Sequence, residues 1–213
     1  TRCLESLYRV MKKLGMLPKK PKKATYKPKP YEQMTYPGER VQVDVKVVPR
    51  KCIADPEMKL YQYTAIDEYT RIRFLYGYEE QSTYSSADFV KRLLKWYKRR
   101  GITVKCIQTD NGFEFTNRFS PSKRDKKTLF ENTLSQLGIE HKLIRPYTPR
   151  HNGKVERSHR EDHNKFYSCH RFYSCDDLNV QLAARLSRTN NRPMRPLKWF
   201  SPIEFLNNSV QYD

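Results

Sequence analysis

Residues 39–48 read "ERVQVDVKVV". In an extended chain Val41, Val43, Val45 and Val47 share one face, and Gln42, Asp44 and Lys46 share the other, because successive strand side chains point to opposite sides. The stretch predicts a strand that buries valines and carries an acid, Asp44, on its polar face. Two β-rich runs follow, "KLYQYTAID" and "RIRFLYGYE", with the short turn "EYTR" between them. They predict a hairpin, and Asp67 reads as its turn residue rather than as a site acid.

A helix is expected at about residues 84–100, with Ala87, Val90, Leu93, Leu94 and Tyr97 inward and Gly101 as its stop. "TVKCIQT" is a short, largely buried strand with Asp110 just past its end. Residues 117–128 are polar, basic and without period, hence a loop. Leu129, Phe130, Thr133, Leu134 and Leu137 mark a helix closed by Gly138, and "IEHKLI" is a fifth strand. Pro146 and Pro149 then forbid regular structure up to Asn152, the expected N-cap of a helix carrying Glu156. A helix at about 177–188 turns Leu178, Leu182, Ala183 and Leu186 inward. "SPIEFL" closes the pattern, with Ser201 as cap and Pro202 in the first turn. This order predicts an α/β domain with a mixed five-stranded sheet flanked by helices.

Upstream, residues 2–15 read as a helix with Leu4, Leu7, Val10, Met11 and Leu14 on one stripe and Gly15 as its stop. One helix cannot bury its own face, so residues 1–16 are expected to be the remnant of a larger module. Residues 17–35 form a Pro/Lys linker in which Lys19, Lys20, Lys22 and Lys23 alternate with prolines and can track phosphates. The main domain is expected over 36–213.

The formal net charge is +19, from 42 Lys+Arg against 23 Asp+Glu. Such an excess repels itself and calls for a polyanionic partner, nucleic acid first. No run is apolar enough to span a bilayer, and no signal peptide opens the chain, so a cytoplasmic, nucleoid-associated protein is expected. The five cysteines are odd in number and scattered, against a disulfide framework. His159, His163, Cys169 and Cys175 raise the question of zinc, but five residues separate the two sulfurs, where zinc knuckles have roughly two to four.

Three acids carry the chemical signal. If the strands of Asp44 and Asp110 are neighbours, the two carboxylates meet, and their repulsion is relieved by a divalent cation. Mg²⁺ takes hard oxygen ligands and retains water, and a third acid from a helix completes a site for phosphodiester displacement. Glu156 is placed to be that acid. Each has a plain alternative: Asp44 as a lysine partner, Asp110 as a turn former, Glu156 as the i+4 partner of Arg160. Around Glu156, the basic "RHNGKVERSHR" stretch supplies Asn152, Lys154, Arg157 and Arg160 as phosphate contacts. Tyr147 is placed to stack on an unpaired base.

"VQVDVK", "TDNGFEF" and "RPYTPRHNGKVER" resemble the three signatures of the retroviral-integrase-like catalytic core of insertion-sequence transposases. "FYSCDDLNVQLAARLSRTNNRPMRPLKWFSPIEFL" resembles the tail that follows it, and "SLYRVMKKLGMLPKKPKK" the end of their helix-turn-helix region. The resemblance implies a ribonuclease-H-like fold and a triad of Asp44, Asp110 and Glu156. It also implies Mg²⁺ (or Mn²⁺), cleavage at transposon DNA ends and strand transfer into target DNA by a homo-oligomer, with no small-molecule substrate. A DNA-binding module without chemistry and a ribonuclease-H-type nuclease are the alternatives. One departure stands out: Asp110 and Glu156 lie 46 positions apart, longer than is usual in the family, with the surplus in "NRFSPSKRDKKT". A loop insertion there need not move the acids.

Overall fold

A computed structural model describes residues 3–17, 32–123, 125–145 and 152–210. It divides into two units, Thr1–Glu32 and Gln33–Asp213. In the first, helix α1 (Leu4–Lys13) buries none of its residues. Leu4, Leu7 and Val10 of its apolar stripe are exposed.

In the second unit the valine alternation forms β1 (Val41–Val47). The hairpin is β2 (Tyr61–Asp67) and β3 (Arg73–Tyr78), then come β4 (Cys106–Thr109) and β5 (Glu140–Leu143). They make one sheet in the order β3-β2-β1-β4-β5. The β1, β2 and β3 pairings are antiparallel, and β4 lies parallel to both β1 and β5. The sheet is mixed, as the element order required.

Its two faces differ. Val41, Val43, Tyr63, Ala65 and Phe74 share one face and are buried. Helix α2 (Thr83–Lys98) covers it: the ring of Phe89 lies 5.4 Å from those of Tyr63 and Phe74. Each such side chain contributes about 1.5–3 kcal/mol by leaving water. Ser82 caps this helix by accepting from the Ser85 N–H, and helix α3 (Leu129–Gln136) opens with a capping box between Thr128 and Glu131.

The opposite face is polar. Gln42, Gln62, Thr64 and Arg73 stand on it and are buried beneath helices α4 (Gly153–Lys165) and α5 (Cys175–Asn190). Helix α5 docks where β3 has no side chain: a Cβ at Gly77 would meet Leu178 at 2.6 Å. Asn179 clamps that glycine, accepting from its N–H and donating to its carbonyl. Helix α6 (Pro202–Val210) follows Ser201, whose hydroxyl and N–H engage Glu204.

Several expectations need correcting. Ala183 is exposed; α5 turns Arg185 inward instead, because a buried carboxylate, Asp162, waits there. Leu129 and Leu137 are also exposed, since they sit at the ends of α3, beyond the turn packed through Phe130, Thr133 and Leu134. Val47 is exposed where β1 ends.

The long basic loop is local. Its flanks are tied by the Thr128 hydroxyl donating to the Phe115 carbonyl at 2.9 Å. The Asn117 side chain crosses it to the Lys126 carbonyl. The surplus residues bulge from a closed neck and do not separate the elements on either side.

Candidate active site

Strand register sets the first two acids side by side. Val41 pairs with Ile107 and Gln42 with Gln108. Asp44 lies two residues beyond Gln42 in β1, and Asp110 follows the last residue of β4, so the acids leave neighbouring parallel strands on the same side of this pairing, and the charge of Asp110 acts on Asp44. Asp110 Oδ1 accepts from the Gly112 N–H at 3.0 Å, so the Asp-Asn-Gly turn fixes one carboxylate oxygen. Asn111 anchors the turn by donating to the Ile144 carbonyl.

Glu156 arrives on α4, and the polar face of β1 is what holds that helix. Gln42 Oε1 accepts from the N–H groups of Lys154 and Val155, each at 3.2 Å, which caps first-turn groups that have no partner within the helix. Lys46 Nζ donates to the His159 carbonyl at 2.9 Å. Between them, Asp44 Oδ2 lies 3.5 Å from His159 Nδ1. Asn152 is the N-cap residue of α4, as expected, but its side chain makes no cap bond; its Nδ2 donates to the Val43 carbonyl, and the residue is buried.

The electrostatics centre on Asp44. Its pKa is raised to about 7, first by burial, then by the negative charges of Asp110, Glu156 and Glu114. The Val45 N–H, donating to Oδ1 at 2.9 Å, opposes the rise. Asp110 and Glu156 thus both act on Asp44, and no ion pair joins Glu156 to Arg160 among the described residues. Glu156 is exposed.

A fourth acid joins them. Glu114 is 3% exposed, and its carboxylate occupies the space that a Cβ on Gly112 would fill. Gln81 donates to its Oε1 at 2.7 Å, while Oε2 is buried with no hydrogen-bond partner among the described residues. Burial and the charge of Asp110 raise its pKa.

Among the described residues no group of three His, Cys, Asp or Glu side chains stands close enough to hold a metal ion as the side chains lie. The donor set suits a hard divalent cation all the same: carboxylate oxygens only, clustered against their own repulsion, one of them buried and unpartnered. The zinc set is dispersed into other roles. His159 contacts Thr64, Cys175 donates to the Gly77 carbonyl, and all five cysteines are free.

The basic residues divide. Arg157 and Arg160 are exposed on α4. Lys154 turns inward, its Nζ 2.7 Å from Glu68 Oε2, and Glu68 also holds Arg40. Its cationic end locks the start of α4 onto the β2–β3 turn instead of joining a solvent-facing row. Lys19, Lys20, Lys22, Lys23 and Tyr147 lie outside the described residues. Asp67 is the turn residue it was read to be, accepting from the Gly38 N–H and from both the N–H and hydroxyl of Thr70.

Two residues escaped the sequence reading, Glu114 and Asp162, and His159 was read only as a zinc candidate. The position of Glu114 in "TDNGFEF", four after Asp110, was the available signal. His159 and Asp162 lie three and six positions after Glu156, on the turns of α4 that meet the sheet. Asp162 is fully buried between Arg73 and Arg185. His159 is neutral, its pKa lowered to about 3 by burial and then by the positive charge of Arg73.

The architecture is that of the ribonuclease-H-like fold. At a TM-score of 0.55 and 17% identity the chain matches the HTLV-2 integrase catalytic core domain, solved in complex with magnesium, over 80% of this chain and 97% of that one. Two sequence models described as integrase core domain match residues 35–149 and 137–202. The chain belongs to the integrase core domain family. It is 33% identical over 173 residues to a Spiroplasma virus SpV1-C74 protein named as an integrase (ORF3), covering 79% of this chain and 47% of that one. It is 29% identical over 170 residues to a Geobacillus stearothermophilus protein named as the transposase of insertion sequence element IS5376, covering 80% of this chain and 42% of that one. The chain thus spans less than half the length of these relatives. No helix among the described residues is long and apolar enough to cross a membrane.

Proposed function

We propose that this chain is the catalytic core of a transposase or integrase that cleaves DNA ends and joins them to target DNA. The observation that carries the reading is the convergence of the Asp110, Glu156 and Glu114 charges on the half-buried Asp44. A protein does not gain stability by crowding like charges; a cation that binds them offsets the cost. In this reading Asp44, Asp110 and Glu156 hold Mg²⁺ (or Mn²⁺). When bound, the ion activates the attacking oxygen and stabilises the leaving one in an in-line phosphodiester displacement.

The chain's own residues do the rest. In this reading β1 carries Asp44 and the Asp-Asn-Gly turn after β4 holds Asp110, while the Gln42 cap and the Lys46 bond set the rotation and depth of α4 and so the reach of Glu156. Arg157 and Arg160 face solvent beside Glu156 and receive backbone phosphates. The net charge of +19 draws DNA toward the same surface. A homo-oligomer brings two transposon ends together, and the protein works on nucleoid DNA in the cytoplasm.

The test is strand transfer with oligonucleotides bearing the element's ends, with and without Mg²⁺. Asp110→Asn is expected to bind DNA and to neither cleave nor join. Cleavage and joining at the wild-type level by that variant would end the reading and leave a DNA-binding module. Preference for an RNA–DNA hybrid over duplex DNA would favour a ribonuclease-H-type nuclease instead.

A further inference from the structure

The proposed acids sit against a chain of buried hydrogen bonds whose polarity can be read from one end to the other. At the far end Asp162 Oδ1 and Oδ2 accept from Arg73 and Arg185, with Arg73 at 2.5 Å and Arg185 at 3.1 Å. A carboxylate so paired is ionised and can only accept. Gln62 Nε2 donates to Asp162 Oδ2 at 3.0 Å, while Gln62 Oε1 accepts from the Tyr167 hydroxyl. The amide orientation of Gln62 is fixed from both sides. Its Nε2 also donates to Thr64 Oγ1 at 2.9 Å.

Thr64 Oγ1 therefore accepts on one side. Its other contact among the described residues is His159 Nε2 at 2.9 Å. With no second acceptor there, the threonine hydrogen goes to that nitrogen. His159 Nε2 then accepts, and the ring proton sits on Nδ1, which faces Asp44 Oδ2 at 3.5 Å. The backbone cannot drift, because Lys46 holds the His159 carbonyl and Thr64 stands opposite Asp44 in the strand register.

We infer that His159 is the positioning residue for Asp44: its Nδ1–H, its direction set by the Tyr167–Gln62–Thr64 chain, orients the carboxylate that the proposed cation needs. This rests on the reading of Asp44, Asp110 and Glu156 as the metal-holding acids. The Val45 N–H fixes Oδ1 and His159 steadies Oδ2, so the carboxylate has one rotation in which to meet a ligand. At 3.5 Å the Nδ1–Oδ2 contact is electrostatic, in the range from which contacts at catalytic sites often tighten on engaging substrate. Loss of a hydrogen-bonding partner behind a ligating group costs about ten- to a hundred-fold in metal affinity.

Two measurements on the full chain test this. Nitrogen NMR of the ring in the metal-free protein is expected to show the proton on Nδ1; a proton on Nε2 would overturn the inference whatever the metal does. Mn²⁺ titration by calorimetry then compares substitutions that place an amide at one ring nitrogen or the other. In His159→Asn the side-chain NH₂ sits close to where Nδ1 was, so affinity should stay within about three-fold of wild type. In His159→Gln the amide reaches toward Thr64 and leaves Asp44 without a donor, so affinity should fall by about ten-fold or more. Thermal melts confirm that both variants fold. Thr64→Val supplies a second route, removing the hydroxyl that sets the tautomer without touching the histidine, and should weaken Mn²⁺ binding in the same direction. If His159→Gln and Thr64→Val bind Mn²⁺ as wild type does while Asp110→Asn does not, the positioning role is wrong and the acid site stands. If Asp110→Asn also binds normally, the site reading fails and takes this inference with it.

Discussion

Asp44 on β1 is half-buried and Asp162 on α4 is fully buried; both carboxylates lie between the polar face of the sheet and α4, linked through His159, Thr64 and Gln62. Their surroundings are opposite. Asp162 has two arginines and an amide around it; burial is the largest single influence and pushes its pKa up, but the charge and hydrogen bond of Arg73, the Gln62 amide and the charge of Arg185 together lower it. Asp44 has three acids around it, and its pKa rises to about 7. The first carboxylate is complete as it stands, and the second is complete only with a cation. Burial alone does not distinguish a structural acid from a site acid; the sign of the neighbours does.

The sharpest way to break the comparison is to remove one member from each side. Asp110→Asn should abolish strand transfer, by about a thousand-fold or more, while leaving the melting temperature at or above the wild-type value. Asp162→Asn should do the reverse in kind. It strands Arg73 and Arg185 in the interior, and losing one partner of a buried ion pair costs about 3–5 kcal/mol. Denaturant unfolding should show that loss directly. Equal stability losses in the two variants would erase the distinction between the two carboxylates.

The pH dependence of the metal-free protein separates them next. Asp44 holds its proton more tightly folded than unfolded, so its contribution is full below its ordinary value of 3.8 and is lost as pH rises to about 7. Stability should therefore fall across that window by on the order of a few kcal/mol, and Glu114, also raised, adds the same sign. Asp162 acts in the other direction: its contribution is present above pH 3.8 and is lost as pH falls below it. Asp44→Asn should flatten the upper window and leave the acid limb intact. Chemical denaturation at a series of pH values in a chelating buffer reads both.

The smallest effect tests the rim. Arg157→Ala should lower the slope of log affinity against log salt by about one, and spare the chemistry on a bound end. Lys154→Ala should leave that slope unchanged and lower the melting temperature, since its charge is committed to Glu68.

Much of this molecule was legible in the chain. The alternation at 41–47 forms β1, the hairpin closes where "EYTR" predicted, and β1 and β4 are parallel neighbours, as the reading of Asp44 and Asp110 required. What sequence reasoning missed has a common cause. Gln42 caps a helix 112 and 113 residues away, Thr64 meets His159 across 95 residues, and Gln62 reaches Asp162 across 100. Such partners leave no local period. Asn152 holds the N-cap position that its residue type favours, but Gln42, from another element, supplies the side-chain acceptor. Lys154 looked like a phosphate contact because nothing nearby in sequence announced Glu68.

The sequence by itself determined the alternation, the breaks at glycine and proline, the excess of positive charge and the order of the three acids. These are properties of neighbouring residues and of simple sums. Only the tertiary structure decided which face of β1 receives α4, that Glu114 tucks beneath Gly112, and that one buried aspartate meets arginines while the other meets acids. Those outcomes depend on which strands become neighbours, and a carboxylate's charge state is set by whatever the fold brings within a few ångströms of it.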